Sequence, residues 1–281
     1  MFKLLNDIFQ PVEFVSVRAL RQAILSIVLF SILPFSASAK SLCDDGDELS
    51  AVRGNGLCLA IRTFNADFKR DFQPTLVVML HGDLPKGGAA LYHIERMREV
   101  ARDEKIVSVA IIRPGYTGYK RRKSEGSNHG RRDSYTKRNN QAAGEVIQKL
   151  KKLHNARRII VIGHSGGAAM AAVIITMFPE LVDKAILVSC PCNIALWTKA
   201  RRWRPWKRSL SPFSFVAKVP LSTEVVAITG KKDRNTFPKL AAQYVSSLKK
   251  RNIKAKLIIV ENAAHDFADT LWYPTSKEIW E

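Results

Sequence analysis

Hydrophobic residues along this 281-residue chain fall into short continuous runs separated by amphipathic stretches. Thr75–Leu80 (TLVVML), Ile106–Ile112, Arg158–Ile162 (RIIVI), Ala185–Ser189, Val225–Thr229 and Lys256–Val260 have the length of buried strands. Between them, Ala89–Arg102, Asn139–His154, Gly166–Phe178 and Pro238–Arg251 read as helices. Upstream, Leu49–Arg53 and Leu57–Thr63 flank Asn55-Gly56, a pair suited to a turn with positive φ, and this predicts a hairpin. Strands that are apolar on both faces and alternate with helices predict a mostly parallel central sheet covered by helices on both sides. No internal repeat or linker-like break interrupts the pattern, so residues 40–281 read as one α/β domain, with a short basic insertion at about 193–222.

The first 39 residues stand outside that pattern. Lys3, Arg18 and Arg21 precede an apolar run from Ala23 to Phe35, and Ser36-Ala37-Ser38-Ala39 then supplies small residues for cleavage after Ala39. The run is 13 residues long, short of the ~20 that span a bilayer. A cleaved signal peptide is therefore expected, with the mature chain starting at Lys40; an uncleaved anchor is the alternative. Leu42 before Cys43 argues against a lipoprotein signal. The chain is expected to be exported, to the periplasm if bacterial and otherwise secreted.

Export makes disulfides permissible among Cys43, Cys58, Cys190 and Cys192. Cys43 with Cys58 is the preferred pair, because Cys190-Pro191-Cys192 would close a very tight ring. A zinc reading of Cys-Pro-Cys lacks a second pair at ligand spacing. No metal site and no cofactor is expected.

Chemistry enters at Gly163-His164-Ser165-Gly166-Gly167, a G-x-S-x-G between a buried strand and a helix that opens with Ala168-Ala169-Met170-Ala171-Ala172. A serine on a sharp strand-to-helix turn needs small neighbours on both sides, and the following helix aims its first N–H groups at a developing oxyanion. Such a serine needs a base, and the base needs an orienting acid. Asp233 follows the Val225–Thr229 strand and His265 follows the last strand, so both belong to the sheet edge that carries Ser165. Asp266 and Asp269 are the reserve acids. His81-Gly82-Asp83, at the end of the first long strand, should supply an oxyanion amide beside that of Gly166, with His81 in a structural role. His93, His129, His154 and His164 match no catalytic or metal spacing.

With these motifs in order, the chain resembles the α/β-hydrolase superfamily, in the branch shared by prolyl-oligopeptidase-like and dienelactone-hydrolase-like proteins. The resemblance covers nearly all of residues 45–281. It implies a Ser165, His265, Asp233 triad, with the amides of Gly166 and the Gly82–Asp83 segment as oxyanion hole. About 35 residues separate the Ser189 and Val225 strands, too few for a large lid. The expected activity is that of an exported serine hydrolase cleaving carboxylic esters through an acyl-enzyme. The alternatives are a serine peptidase for small peptides, or an idle hydrolase fold that binds an anionic surface.

Composition adds one qualification. Hydrophobic residues at 46% and charged residues at 25% exclude a disordered chain, but 45 Lys+Arg against 25 Asp+Glu leave a net charge of +20. The first 39 residues hold three cations and two anions, so their removal leaves +19. Arg113 to Arg138 contains nine Lys/Arg with only Glu125 and Asp133; Lys199 to Arg208 contains six and no acid. A basic rim bearing Tyr116, Trp197, Trp203 and Trp206 is expected around the active-site mouth. Anionic or amphipathic substrates, or an anionic membrane surface, would then be the partners. Nucleic acid is not expected, since no recognition motif appears.

Overall fold

The computed structural model describes residues 41–67 and 71–281; the expected signal segment and the Lys40 start lie outside the described residues. The sheet has eight strands: β1 (Ala51–Gly54), β2 (Leu57–Phe64), β3 (Thr75–Leu80), β4 (Ile106–Ile111), β5 (Arg158–His164), β6 (Lys184–Val188), β7 (Glu224–Gly230) and β8 (Ala255–Val260). Their order is β1-β2-β4-β3-β5-β6-β7-β8, with the β1–β2 and β2–β4 pairs antiparallel and the remainder parallel. Positive φ at Asn55 and Gly56 turns the β1–β2 hairpin.

Among the described residues six α-helices cover this sheet: α1 (Tyr92–Val100), α2 (Lys137–Leu153), α3 (Gly166–Met177), α4 (Ile194–Ala200), α5 (Pro238–Lys249) and α6 (Asp269–Trp280). Alternation along β3 divides the core. Leu76, Val78 and Leu80 join the cluster under α2, α3 and α5, whereas Val77 and Met79 join the cluster under α1 and α6. The central strands are thus buried on both faces, as their unbroken apolar runs require, whereas the edge strand β8, read as buried, is partly exposed because no further strand covers it, with Ile259 45% exposed. Helix α3 is buried on nearly every side, which explains its lack of an apolar stripe. By contrast α2 begins at Thr136, whose hydroxyl accepts from the Asn139 amide at 3.2 Å.

Two boundaries near the strand C-termini differ from the sequence reading. Helix α1 starts at Tyr92 rather than Ala89, because Gly87 and Gly88 take positive φ and the Ala90 amide is bound to the Thr117 carbonyl. Strand β5 runs two residues further, to His164, pairing Gly163 with Leu187 and His164 with Val188. The insertion contains α4, capped by Asn193 accepting from Leu196 N at 3.1 Å, and a 3-10 segment at Pro212–Lys218.

Both cysteine pairs are at disulfide distance. Cys43–Cys58 ties the N-terminal segment to β2, and Cys190–Cys192 closes the ring that the sequence reading disfavoured. At the opposite sheet edge from the strand C-termini, the buried Lys184 ammonium meets Glu278 at 3.1 Å and Glu224 at 3.5 Å. Among the described residues no helix is long and apolar enough to cross a membrane.

Candidate active site

Ser165 sits between β5 and α3 with φ 51° and ψ −117°, a region that costs a non-glycine residue strain. The turn survives because its surroundings over-determine it. The Ser165 amide donates to the Val188 carbonyl at 2.8 Å, and the Ser165 carbonyl accepts from Ala168 and Ala169 at 2.9 and 3.1 Å. The glycines are needed for space: a Cβ on Gly163 would lie 2.6 Å from the Ala168 nitrogen, and one on Gly167 would lie 2.6 Å from the His81 carbonyl oxygen.

The structure brings Ser165, His265 and Asp233 together at the C-terminal edge of the sheet. His265 Nε2 is 3.1 Å from Ser165 Oγ and its Nδ1 is 2.9 Å from Asp233 Oδ2. With the proton on Nδ1 donated to the carboxylate, Nε2 is left to accept from the serine hydroxyl. Burial pushes the Asp233 carboxyl up, but the His265 contact, the Thr236 hydroxyl and the Thr236 amide outweigh it and hold the group below the usual aspartate range. Its Oδ1 accepts from the amides of Asn235 and Thr236, both at 2.8 Å. Neither reserve acid is placed for the role: Asp266 is exposed, and Asp269 pairs with Arg96 at 2.7 Å.

Several residues around this constellation had escaped the sequence reading. Thr236 Oγ1 lies 2.8 Å from Asp233 Oδ2, 2.9 Å from the Ser189 carbonyl and 3.1 Å from His265 Nδ1. His164, read as a bystander, links two loops. Its Nε2 donates to the His265 carbonyl at 2.9 Å, while its Nδ1 accepts from Tyr92 OH at 2.8 Å; Tyr92 in turn accepts from the Gly82 amide at 2.6 Å. Burial, then the neighbouring His265, lower the His164 pKa to about 3, so the ring is neutral, as this donor–acceptor order demands. No spacing rule could have found Tyr92, which lies 72 residues from His164.

One expectation about the oxyanion loop is corrected. The Gly82 amide is occupied by Tyr92, and its carbonyl accepts from His81 Nδ1 at 2.7 Å, so Gly82 is a structural link rather than a free donor. The amides of Asp83 and Gly166 remain as candidates; neither donates to another group among the described residues. The Asp83 side chain is an anchor that the sequence reading overlooked. It accepts from Arg113 at 3.0 Å, Tyr116 OH at 3.0 Å and Tyr135 OH at 2.5 Å. Burial opposes the Arg113 charge, yet Asp83 and the two tyrosines raise its pKa, so a paired cation lies directly behind Gly166. His81 is structural, as expected: its Nε2 accepts from the Arg113 amide at 3.0 Å.

The expected rim is half corrected. Tyr116, 2% exposed, belongs to the Asp83 anchor, and Trp197, 3% exposed, donates from its indole to the Asn235 carbonyl at 2.9 Å. Both face inward, and the polar tip of each has a partner there. Trp203 is 40% exposed and Trp206 half-buried. Among the described residues no group of His, Cys, Asp and Glu could hold a metal ion.

An open, mostly parallel sheet carrying a serine on a strained strand-to-helix turn defines an α/β-hydrolase, and the chain is a serine hydrolase. It belongs to the prolyl oligopeptidase family, whose model matches residues 136–276. No curated protein matches it. Among solved structures it is similar to Est1E from Butyrivibrio proteoclasticus bound to ferulic acid, with 17% identity, TM-score 0.63, and 82% of this chain and 95% of that one covered. It is also similar to the Pyrococcus furiosus esterase Pf2001, with 14% identity, TM-score 0.61 and 82% and 89% covered. Against the Pyrococcus horikoshii acylaminoacyl peptidase the values are 18% and 0.60, with 81% of this chain but 39% of the peptidase covered. The chain spans about two-fifths of the length of such peptidases.

Proposed function

We propose that the chain is an exported carboxylesterase in which Ser165 is the nucleophile, His265 the general base and acid, and Asp233 the orienting carboxylate. The single observation that carries this reading is the continuous contact from Ser165 Oγ through His265 to Asp233, at 3.1 and 2.9 Å. His265 Nε2 takes the serine proton as Oγ attacks the ester carbonyl, and the Asp233 carboxylate stabilises the imidazolium. The amides of Gly166 and Asp83 receive the tetrahedral oxyanion, each worth about 2.7–4 kcal/mol in the transition state. The imidazolium then returns its proton to the leaving alcohol, and water, activated by the same ring, releases the acid and regenerates the serine.

Esters are favoured over peptides because the solved structures matched over almost their whole length are esterases, whereas the peptidases are matched over two-fifths. The family supports the second reading, a peptidase for small peptides. Export through residues 1–39 is supported by the sequence of that segment and agrees with two disulfides.

A fluorophosphonate probe should label the native protein and not Ser165→Ala. Labelling that persists in a folded Ser165→Ala protein removes the assignment of the nucleophile. Turnover of p-nitrophenyl esters without turnover of aminoacyl-p-nitroanilides supports the esterase; the reverse assigns a peptidase. N-terminal sequencing of protein recovered outside the cytoplasm should read from Lys40.

A further inference from the structure

We infer that the two basic loops form one selective surface that draws negatively charged esters to Ser165, an inference that rests on the esterase reading above. The loops are far apart in sequence and are buckled together by a single acid. The Asp133 carboxylate accepts from the amides of Lys207, Arg208 and Ser209 at 3.0, 3.1 and 2.7 Å. Alongside, Leu210 N donates to the Tyr135 carbonyl at 2.9 Å, and Tyr135 N donates to Ser209 Oγ at 3.1 Å. The Arg208 guanidinium reaches His129 Nδ1 at 3.3 Å. Arg131, Arg132, Lys207 and Arg208 therefore lie together on the joined loops.

That face is left uncompensated. Among the described residues, no carboxylate pairs with Arg131, Arg132, Arg202, Arg204, Lys207 or Arg208. Elsewhere on the surface Lys231, Lys254, Lys256 and Arg98 each meet one within 2.8 Å, while Lys151, Lys249 and Lys250 among the described residues do not, so what sets this face apart is unpaired charge placed beside the Asp233 loop. Uncompensated charge of one sign beside a cleft concentrates anions and raises association rates by about 10 to 10³.

Three contacts set this surface against the candidate site. The Arg201 guanidinium donates to the Arg234 carbonyl at 3.2 Å, one residue from Asp233. Trp197 holds Asn235 on the same loop, and Trp206 packs edge-on against Tyr135 at 5.4 Å, whose hydroxyl binds Asp83. Charge, rather than aromatic stacking, is the recognising element. Trp203 already stacks on Trp206 at 6.1 Å and carries the Arg201 guanidinium 5.1 Å from its ring centre, so the indoles brace the loop. The fitting substrate is an ester with a carboxylate or phosphate beyond the scissile bond.

The test compares kcat/KM for p-nitrophenyl hemisuccinate and for neutral p-nitrophenyl butyrate, at about 20 mM and about 500 mM NaCl, where screening shortens the reach of surface charge from about 20 to about 5 Å. The anionic ester should gain on the neutral one by about 5-fold or more at low salt, and the advantage should collapse at high salt. Arg204→Glu/Lys207→Glu/Arg208→Glu should reverse the salt dependence, and Arg131→Glu/Arg132→Glu, on the other loop, should move it in the same direction if the triple variant fails to fold. A substrate ratio indifferent to salt and to both variants overturns the surface while leaving the esterase intact. Turnover of neither ester removes both. Sedimentation with phosphatidylglycerol but not phosphatidylcholine vesicles, without any ester preference, would reassign the surface to a membrane and overturn the substrate inference.

Discussion

Thr236→Val isolates the hydroxyl that touches both partners of the candidate nucleophile. Valine keeps the branched shape and removes only the polar atom, so a change in rate cannot be ascribed to a cavity. The hydroxyl carries one proton, with the Asp233 carboxylate at 2.8 Å and the Ser189 carbonyl at 2.9 Å as its acceptors. A hydrogen bond to a charged group contributes about 1.5–3 kcal/mol. Asp233 keeps two amides at 2.8 Å and the His265 contact at 2.9 Å, so it stays bound but less firmly aimed. Only the part of the loss that grows as His265 becomes charged slows the reaction. We expect about half of it, near 1.1 kcal/mol, which is about a sixfold fall in kcat, with KM within about twofold. Steady-state hydrolysis of a p-nitrophenyl ester reads both constants. Thr236→Ser should recover most of the rate, because the oxygen returns. An unchanged kcat in Thr236→Val, or a rise in KM alone, would refute the reasoning.

Lys184→Met should cost about 3 kcal/mol, the low end for a broken buried pair, because Glu278 and Glu224 lose their buried cation but keep Lys256 at 2.6 Å and Lys254 at 2.7 Å; urea denaturation measures it, and adding Glu278→Leu should recover a large part. Acid should weaken the fold well above the pH at which carboxylates titrate. Burial holds His81, His93 and His164 below their ordinary range, the latter two at about 3. The unfolded chain therefore binds protons that the folded chain refuses, and the contribution is whole above about pH 6.5 and lost progressively towards pH 3. Equal urea midpoints at pH 7.5 and pH 5 would contradict this. Cys43→Ala/Cys58→Ala opens a loop of 15 residues and should lower stability by about 3 kcal/mol, with a matching fall in melting temperature and unchanged kcat.

Local patterning determined most of the scaffold. Buried parallel strands must be apolar on both faces, so TLVVML and RIIVI declared themselves, and the flanking glycines marked the serine turn. Chain order after β7 and β8 also singled out Asp233 and His265, because a parallel sheet delivers all its strand ends to one edge. What the sequence could not carry was the direction of side chains relative to neighbours distant along the chain. Tyr116 and Trp197 read as rim residues, yet each turns inward to a partly buried partner, Asp83 or the Asn235 carbonyl. Gly82 read as an oxyanion donor until Tyr92 took its amide. Thr236, His164 and Arg113 owe their roles to contacts across 29 to 101 residues, and Asp133 joins its basic loop to another 74 residues away. Periodicity reports which face of its own element a residue occupies. Hydrogen-bond partners on other elements are set only when the sheet, its helices and its loops close around one another.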